Sequence, residues 1–434
     1  MNHYTAIIIA LTLVVCIPLM TISYSASSSS AAEISAGGTI TYDPSPYAFT
    51  VFANSSGYYA ENANGIIAFS STNAADIISD IFGSSWKGGC VLFQSGLYVL
   101  SPQVLYINDT VIEGQGDSSI LQLAPGESAL SNPRLLEVLD SYNVTIENIH
   151  LDGNLIYNNI TDNVVMGLDI VDSWNVTVQN CYFTNWRVFG IYVTSAMSGA
   201  DVHDIVIRNN RVINCLWNGI SIYSMVSGAN IHNVTVESNY VEGSDDIGLD
   251  VFAEVSASRP YDNTFIDNVV NGSLTYPGYG SSGTDAAAYG IRLEAGNNQL
   301  VENNTVYNSI TGIGDSIVQG GSGNNTVIGN DIWINGSTTW AGVDLFDQYN
   351  IVGNNAIYGF YAYNVGVEIR GSNNLVENNT IISNTANFEG IAQNSQTNPD
   401  NSTIIYNDLS QCNTGTPIVL ASGTGTTMYG NILP

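Results

Sequence analysis

The stretch "NVTVQNCYF" (175–183) is followed by "DIVIRNNRV" (204–212) and then by "NVTVESNYV" (233–241). The same short unit returns as "NTFIDNVV" (263–270), "NQLVENNTV" (298–306), "NTVIGNDI" (325–332) and "NLVENNTI" (374–381). Apolar and polar residues alternate within each copy, which is the period of a strand with one buried face. Each unit closes on asparagine, giving Asn148, Asn180, Asn209, Asn239, Asn268, Asn303, Asn330, Asn354, Asn378 and Asn407, with gaps of 24 to 35 residues. Asparagine suits a turn, because its amide bonds nearby backbone and it tolerates a left-handed conformation. Stacked turns would bring these amides into a ladder.

A second unit lies between the first ones: "GLDI" at 167, "GIYV" at 190, "GISI" at 219, "GLDV" at 248, "GIRL" at 290, "GVDL" at 342 and "GVEI" at 366. Two or three short strands per repeat, with no helical periodicity between them, describe a solenoid whose coils bury their apolar faces only by stacking. A propeller or sandwich is disfavoured, because each unit pairs with its successor rather than with a hairpin partner. The predicted class is all-β, a parallel β-helix of about ten or more coils.

The stack needs a beginning. "NAADIISDIFGSS" (73–85) carries apolar residues at helical spacing after a polar start, so it reads as a short amphipathic helix covering the open edge of the first coil. Then comes "GGCVLFQSGLYVLSPQVLYINDTVIEGQGDSSILQLA" (88–124). Gly88, Gly89, Val91, Phe93, Gly96, Tyr98, Gly114 and Gly116 resemble the opening of right-handed parallel β-helix proteins of the pectate-lyase-like superfamily. With the repeats, the resemblance spans 73–425. It implies the fold; the superfamily holds lyases, hydrolases, epimerases and non-enzymes, so it leaves the activity open.

The apolar run from Ala6 to Met20, with Ser23 and Ser25 beyond it, reads as a secretory signal over 1–25. A Ser-rich linker (26–45), N-terminal strands with the capping helix (46–87) and the β-helix (88–434) would follow. The expected location is secreted or cell-surface, with no membrane partner once the signal is cleaved. Twelve N-x-[ST] sequons are compatible with that address. Cys90, Cys181, Cys215 and Cys412 fit neither a zinc site nor a disulfide framework, and Cys181–Cys215 is the one pair worth testing.

Acids number 38 of 434 residues, whereas Lys and Arg together number 8, so the net charge of −30 comes from missing bases. This excludes simple nucleic-acid binding, which needs basic surface. In acid the carboxylates neutralise and few charges remain to repel one another, which suggests an acidic habitat.

In a parallel β-helix, the outward residue of each Gly-h-x-h unit repeats along one sheet about 4.8 Å per coil. That column reads Asp169, Tyr192, Ser221, Asp250, Arg292, then Asp344 and Glu368. From the strand glycine to the following asparagine is 12–13 residues in the coils starting at Gly167, Gly290, Gly342 and Gly366, but 19–20 in those starting at Gly190, Gly219 and Gly248. Three neighbouring coils therefore carry extra loops on one side. An insertion at 272–289, with Tyr276 and Tyr279, would rise opposite. Between these walls lie the candidate catalytic residues Asp245, Asp246, Asp250 and Arg292, and the candidate substrate-binding residues Tyr192, Trp217, Tyr223 and Glu294.

Two carboxylates suffice for glycosidic hydrolysis. Superfamily resemblance adds a lyase solution, in which calcium, here at Asp246 and Asp250, works with an arginine base. The expected partner is a polysaccharide or glycan, bound or cleaved by hydrolysis or elimination; the alternative is a non-catalytic adhesin or envelope protein. Taken as exposed, an Asp250–Arg292 pair contributes only about 0–1 kcal/mol. The stacked carboxylates Asp344 and Glu368, with Arg370 nearby, rank second because no loops wall them in. The polygalacturonase motifs G-H-G and R-I-K are absent, as is the epimerase D-P-H-D.

Overall fold

The computed structural model describes residues 45–434, apart from 160–162, 255–257, 273–288, 316–322, 335–340, 361–363 and 413–416. The predicted signal and all but the last residue of the predicted linker lie outside the described residues. Three sheets, of sixteen, eleven and twelve strands, account for the described strands. From Gly89–Phe93 onward the strands pair in parallel with their counterparts in the neighbouring coils, so that Val176 lies beside Ile205 and Ile205 beside Val234. These side chains are buried and form one of the inner columns of a continuous apolar core. The repeat spacing thus becomes coil spacing, and crossovers of this kind wind right-handed.

The N-terminal end is closed as the sequence predicts. Phe49–Asn54, Gly57–Asn62 and Ile67–Ser71 form an antiparallel meander at one edge of the sixteen-strand sheet, and Phe49–Asn54 passes the edge to Gly89–Phe93 in parallel. Asn73 caps the following helix, Ala74–Ile81, by accepting from the Ala75 amide at 3.1 Å. Ile77, Ile78 and Ile81 on its inner face are buried in the main core.

The asparagine ladder has Asn239, Asn268, Asn330 and Asn407 as the sequence reading places them, but differs by one residue at four other coils. Its rungs are Asn210, Asn239, Asn268, Asn304, Asn330, Asn355, Asn379, Asn407 and Asn431. From Asn239 on, each Oδ1 accepts from the backbone N–H and the side-chain amide of the rung one coil earlier, as between Asn268 and Asn304 at 2.9 and 3.0 Å, while Asn210 accepts from the Cys181 N–H. Asn209, Asn303, Asn354 and Asn378 instead hold the left-handed turn just before a rung, and Asn148 and Asn180 hold the same turn before Ile149 and Cys181, all with φ of 54–55°. The two uses of asparagine, rung and left-handed corner, fall on consecutive residues, and a consensus of short strands does not separate them. Asn304→Ala should cost about 1–3 kcal/mol, because it strips partners from Asn268 and Asn330 inside the core. Asn303→Gly, at the exposed corner, should be near neutral, and urea unfolding of both variants checks the contrast.

Cys90, Cys181, Cys215 and Cys412 are all free thiols, so Cys181 and Cys215 are not bonded to each other.

Candidate functional site

The twelve-strand sheet carries the Gly-h-x-h units. Gly248 is required there: a Cβ would sit 2.3 Å from the Val270 side chain and 2.7 Å from the Gly290 carbonyl oxygen. The hydrophobic residues that follow each glycine point into the core, and the residue between them points out. The outward column runs Glu137, Asp169, Tyr192, Ser221, Asp250, Arg292, Gly314, Asp344, Glu368, Ala392 in unbroken register.

Asp250 and Arg292 are adjacent rungs, and their pairing is bidentate: Arg292 Nε donates to Oδ1 at 3.1 Å and an Nη donates to Oδ2 at 3.4 Å. Asn218 also donates to Oδ2 at 3.0 Å. Arg292 reaches Glu294 on its other side at 2.8 Å. The pair is not the exposed one expected from sequence, since Asp250 and Glu294 are each 1% exposed. Arg292 and a layer of outer aromatic side chains close over the floor. Phe189 stacks on Tyr192 at 4.4 Å and on Trp217 at 5.7 Å, and Tyr223 stacks on Phe252 at 4.5 Å. Tyr192 is buried, whereas Trp217 is 46% exposed.

Asp246 stands at the edge of this floor. It is half-buried and accepts from the Trp217 indole N–H. Burial raises its pKa, and Arg292 and the indole only partly offset this. Burial likewise raises Asp250, against the opposing pull of Arg292. Arg292 itself is held protonated above its ordinary range, because two carboxylates outweigh its desolvation. Asp245 lies in the preceding turn, its amide directed to the Cys215 carbonyl at 3.4 Å. Of the predicted site, Asp246, Asp250, Arg292, Glu294 and Trp217 come together, Tyr192 and Tyr223 form the aromatic layer beside them, and Asp245 stays in the turn that leads to the strand. Asn218, Phe189 and Phe252 were missed. The first two occupy the position just before a repeat glycine, which also faces outward.

The loop wall is present. Loops 196–200 and 225–229 connect the ends of two of these strands to the sixteen-strand sheet, tied together by Gly199 N–H to Gly228 O at 3.0 Å and Asn230 N–H to Ala200 O at 2.8 Å. Gly228 N–H continues the wall to Ser258 Oγ at 2.7 Å. The opposite insertion, with Tyr276 and Tyr279, lies outside the described residues.

The same motif occurs twice more on this sheet. Arg370 donates to both oxygens of Asp344, at 2.9 and 3.1 Å, and to Glu368 at 2.8 Å, so the stacked carboxylates of the second candidate cluster are paired. Arg134 holds Asp169 and lies 3.6 Å from Glu137. Three of the chain's eight basic residues are therefore each placed between two acids on one face.

Among solved structures, the Azotobacter vinelandii mannuronan C-5 epimerase AlgE6 A-module superposes with a TM-score of 0.61 at 17% identity, covering 80% of this chain and 91% of that one. The fold is that of a right-handed parallel β-helix. DFA-IIIase from Arthrobacter chlorophenolicus A6, solved with DFA-III, gives 0.55 at 13% identity over 76% of this chain and 90% of its own. The Agl-KA catalytic domain gives 0.50 at 17% identity, covering 79% and 63% respectively. A family model described as periplasmic copper-binding protein (NosD) matches residues 89–282 of the β-helix, under half of the chain. A search of curated proteins finds no match.

The floor does not fit calcium. Both Asp250 oxygens already accept hydrogen bonds from Arg292 and Asn218, and the guanidinium takes the ground a cation would need. Among the described residues no group of three or more His, Cys, Asp or Glu side chains is placed to share a metal ion of any kind.

Proposed function

We propose that this β-helix works outside the cytoplasm and cleaves a polysaccharide by hydrolysis along the twelve-strand face. Asp246 is the proton donor, and Asp250, oriented by Arg292, is its charged partner. The observation carrying this reading is the contrast between the two carboxylates. Asp246 is half-buried at the rim beside the exposed Trp217 ring, whereas Asp250 is buried and locked in a bidentate pair; burial raises the proton affinity of both, and at Asp250 the direct hydrogen bonds from Arg292 oppose it. Two carboxyl groups in different settings, one at the rim and one paired with an arginine, can take the two roles that glycosidic hydrolysis needs. Elimination with Arg292 as base is disfavoured, because Asp250 and Glu294 hold its proton. Trp217 and Tyr223 supply ring surface for sugars. The polysaccharide-directed neighbours and the periplasmic description of the matching family model support the substrate class and the address.

Incubation with a panel of neutral and acidic polysaccharides between about pH 3 and 7 should release reducing ends without unsaturated products. EDTA should leave the rate unchanged. Asp246→Asn should lower kcat by roughly 10²–10⁴. Unsaturated products, or full activity in that variant, would remove the assignment. The burial of Asp250 and Glu294 favours a second reading, a non-catalytic glycan-binding surface protein. Binding without turnover across the panel would select it.

A further inference from the structure

A second concave feature lies away from the floor, at the corner where the twelve-strand sheet passes to the sixteen-strand sheet. Two successive coils cross this corner in two residues, Asp140–Ser141 and Asp172–Ser173. The next coil crosses it with the loop 196–200. The long loop overhangs the two short turns and leaves a cavity of about 410 Å³, lined by Asp140, Asp172, Trp174, Met197, Asp201 and His203 with the backbone of 198–200. None of Asp246, Asp250, Arg292 or Glu294 lines it.

The cavity is built rather than incidental. Asp172 is 6% exposed and its Oδ1 accepts from the Ala196 and Met197 amides, at 2.8 and 3.4 Å, which holds the overhanging loop down. Its Oδ2 is buried with no hydrogen-bond partner among the described residues. A carboxylate oxygen left in that state costs free energy that an incoming donor would recover. Trp174 is fixed in a column of rings, stacked on Tyr142 at 5.1 Å and on His203 at 6.4 Å, so the wall it offers is rigid. Asp201 is held by His232 Nε2 at 3.1 Å.

The lining chemistry selects the ligand. Three carboxylates, no Lys or Arg, and the apolar surfaces of Trp174 and Met197 exclude an anion and suit a ring with hydroxyl or amino hydrogens and an apolar C–H face. We propose that this notch is a binding subsite for a non-anionic sugar unit, neutral or amino-substituted. It is independent of any chemistry on the floor. A glycan held at this corner is anchored at the end of the loop wall, before its chain reaches the twelve-strand face.

Titration calorimetry of the full chain with cellohexaose, a chitosan hexamer and a galacturonate hexamer tests the assignment. The neutral or the amino oligosaccharide, or both, should bind, and the two arms separate hydroxyl from ammonium recognition. The galacturonate hexamer should not bind at the notch. Asp172→Asn keeps the loop-holding oxygen but replaces the free acceptor with a donor, and should weaken binding at least about tenfold. Asp201→Asn, at an exposed position, should weaken it too without affecting folding. Asp250→Ala should leave notch binding intact, which separates this site from the floor. Binding of neither non-anionic sugar, preference for the galacturonate, or unchanged affinity in both Asp172→Asn and Asp201→Asn would overturn the proposal.

Discussion

Stability should rise as the pH falls from about 8 to about 4, the reverse of ordinary acid denaturation. Burial pushes Asp169 up to about 7 and Asp344 up to about 8, even with an arginine beside each. Asp315, enclosed beside Asp347, is raised well above the usual carboxylate range, and Asp172, Asp246 and Asp250 are raised as well. A carboxyl whose folded pKa exceeds its unfolded one keeps its proton longer in the native state. Its contribution is complete below the unfolded value, near about 3.9, and is lost as pH climbs to the folded value. At about 1.4 kcal/mol per pKa unit, Asp169 and Asp344 together contribute on the order of several kcal/mol. His150, lowered by burial, and Asp408, lowered by its hydrogen bonds with Ser410, oppose the trend in acid, against the six raised carboxyls. With so few bases, acid builds little self-repulsion to offset the gain. Calorimetric Tm at about pH 4 should exceed that at about pH 8. A flat profile, or melting that begins in acid, would show that these carboxyls are solvated.

Arg292→Met should destabilise the fold by about 3–5 kcal/mol at neutral pH, far more than loss of a surface ion pair. Asp250 and Glu294, each 1% exposed, would face each other across a buried site with no cation between them. Protonation would relieve this, so the deficit should shrink in acid. Arg292→Lys should recover only part of the stability, because an ammonium cannot reproduce the two-point contact with Asp250. Urea midpoints at about pH 7 and about pH 4 test both statements. A loss below about 1 kcal/mol, equal at both pH values, would return the pair to the status of a solvated surface contact.

The column from Asp169 to Glu368 was legible because the repeat keeps strict register. Once Gly-h-x-h fixes which residue faces out, stacking fixes who its neighbours are. Gly314 completes the coil that the sequence left ambiguous, and Tyr289 packs against it, 2.7 Å from where a Cβ would lie. The loop wall was legible too, since chain length between repeated landmarks can leave the coil only at a corner. The asparagine rungs were read one residue early at four coils, because N-N pairs satisfy the pattern in either register while only one places the amide inward.

Sequence alone therefore determined the solenoid, the end-capping helix, the outward column and the side on which loops accumulate, because all of these follow from periodicity and counting. Tertiary structure decided the energetics. Alternation tells which side chains leave the core, but not whether other side chains then close over them. Asp250, Asp344 and Asp169 leave the core and are buried all the same, under arginines and outer aromatic rings supplied partly by neighbouring coils. Only that second layer turns a row of outward acids into buried, arginine-paired groups with raised pKa. Only the overhang of one loop past two short turns makes the notch at Asp172.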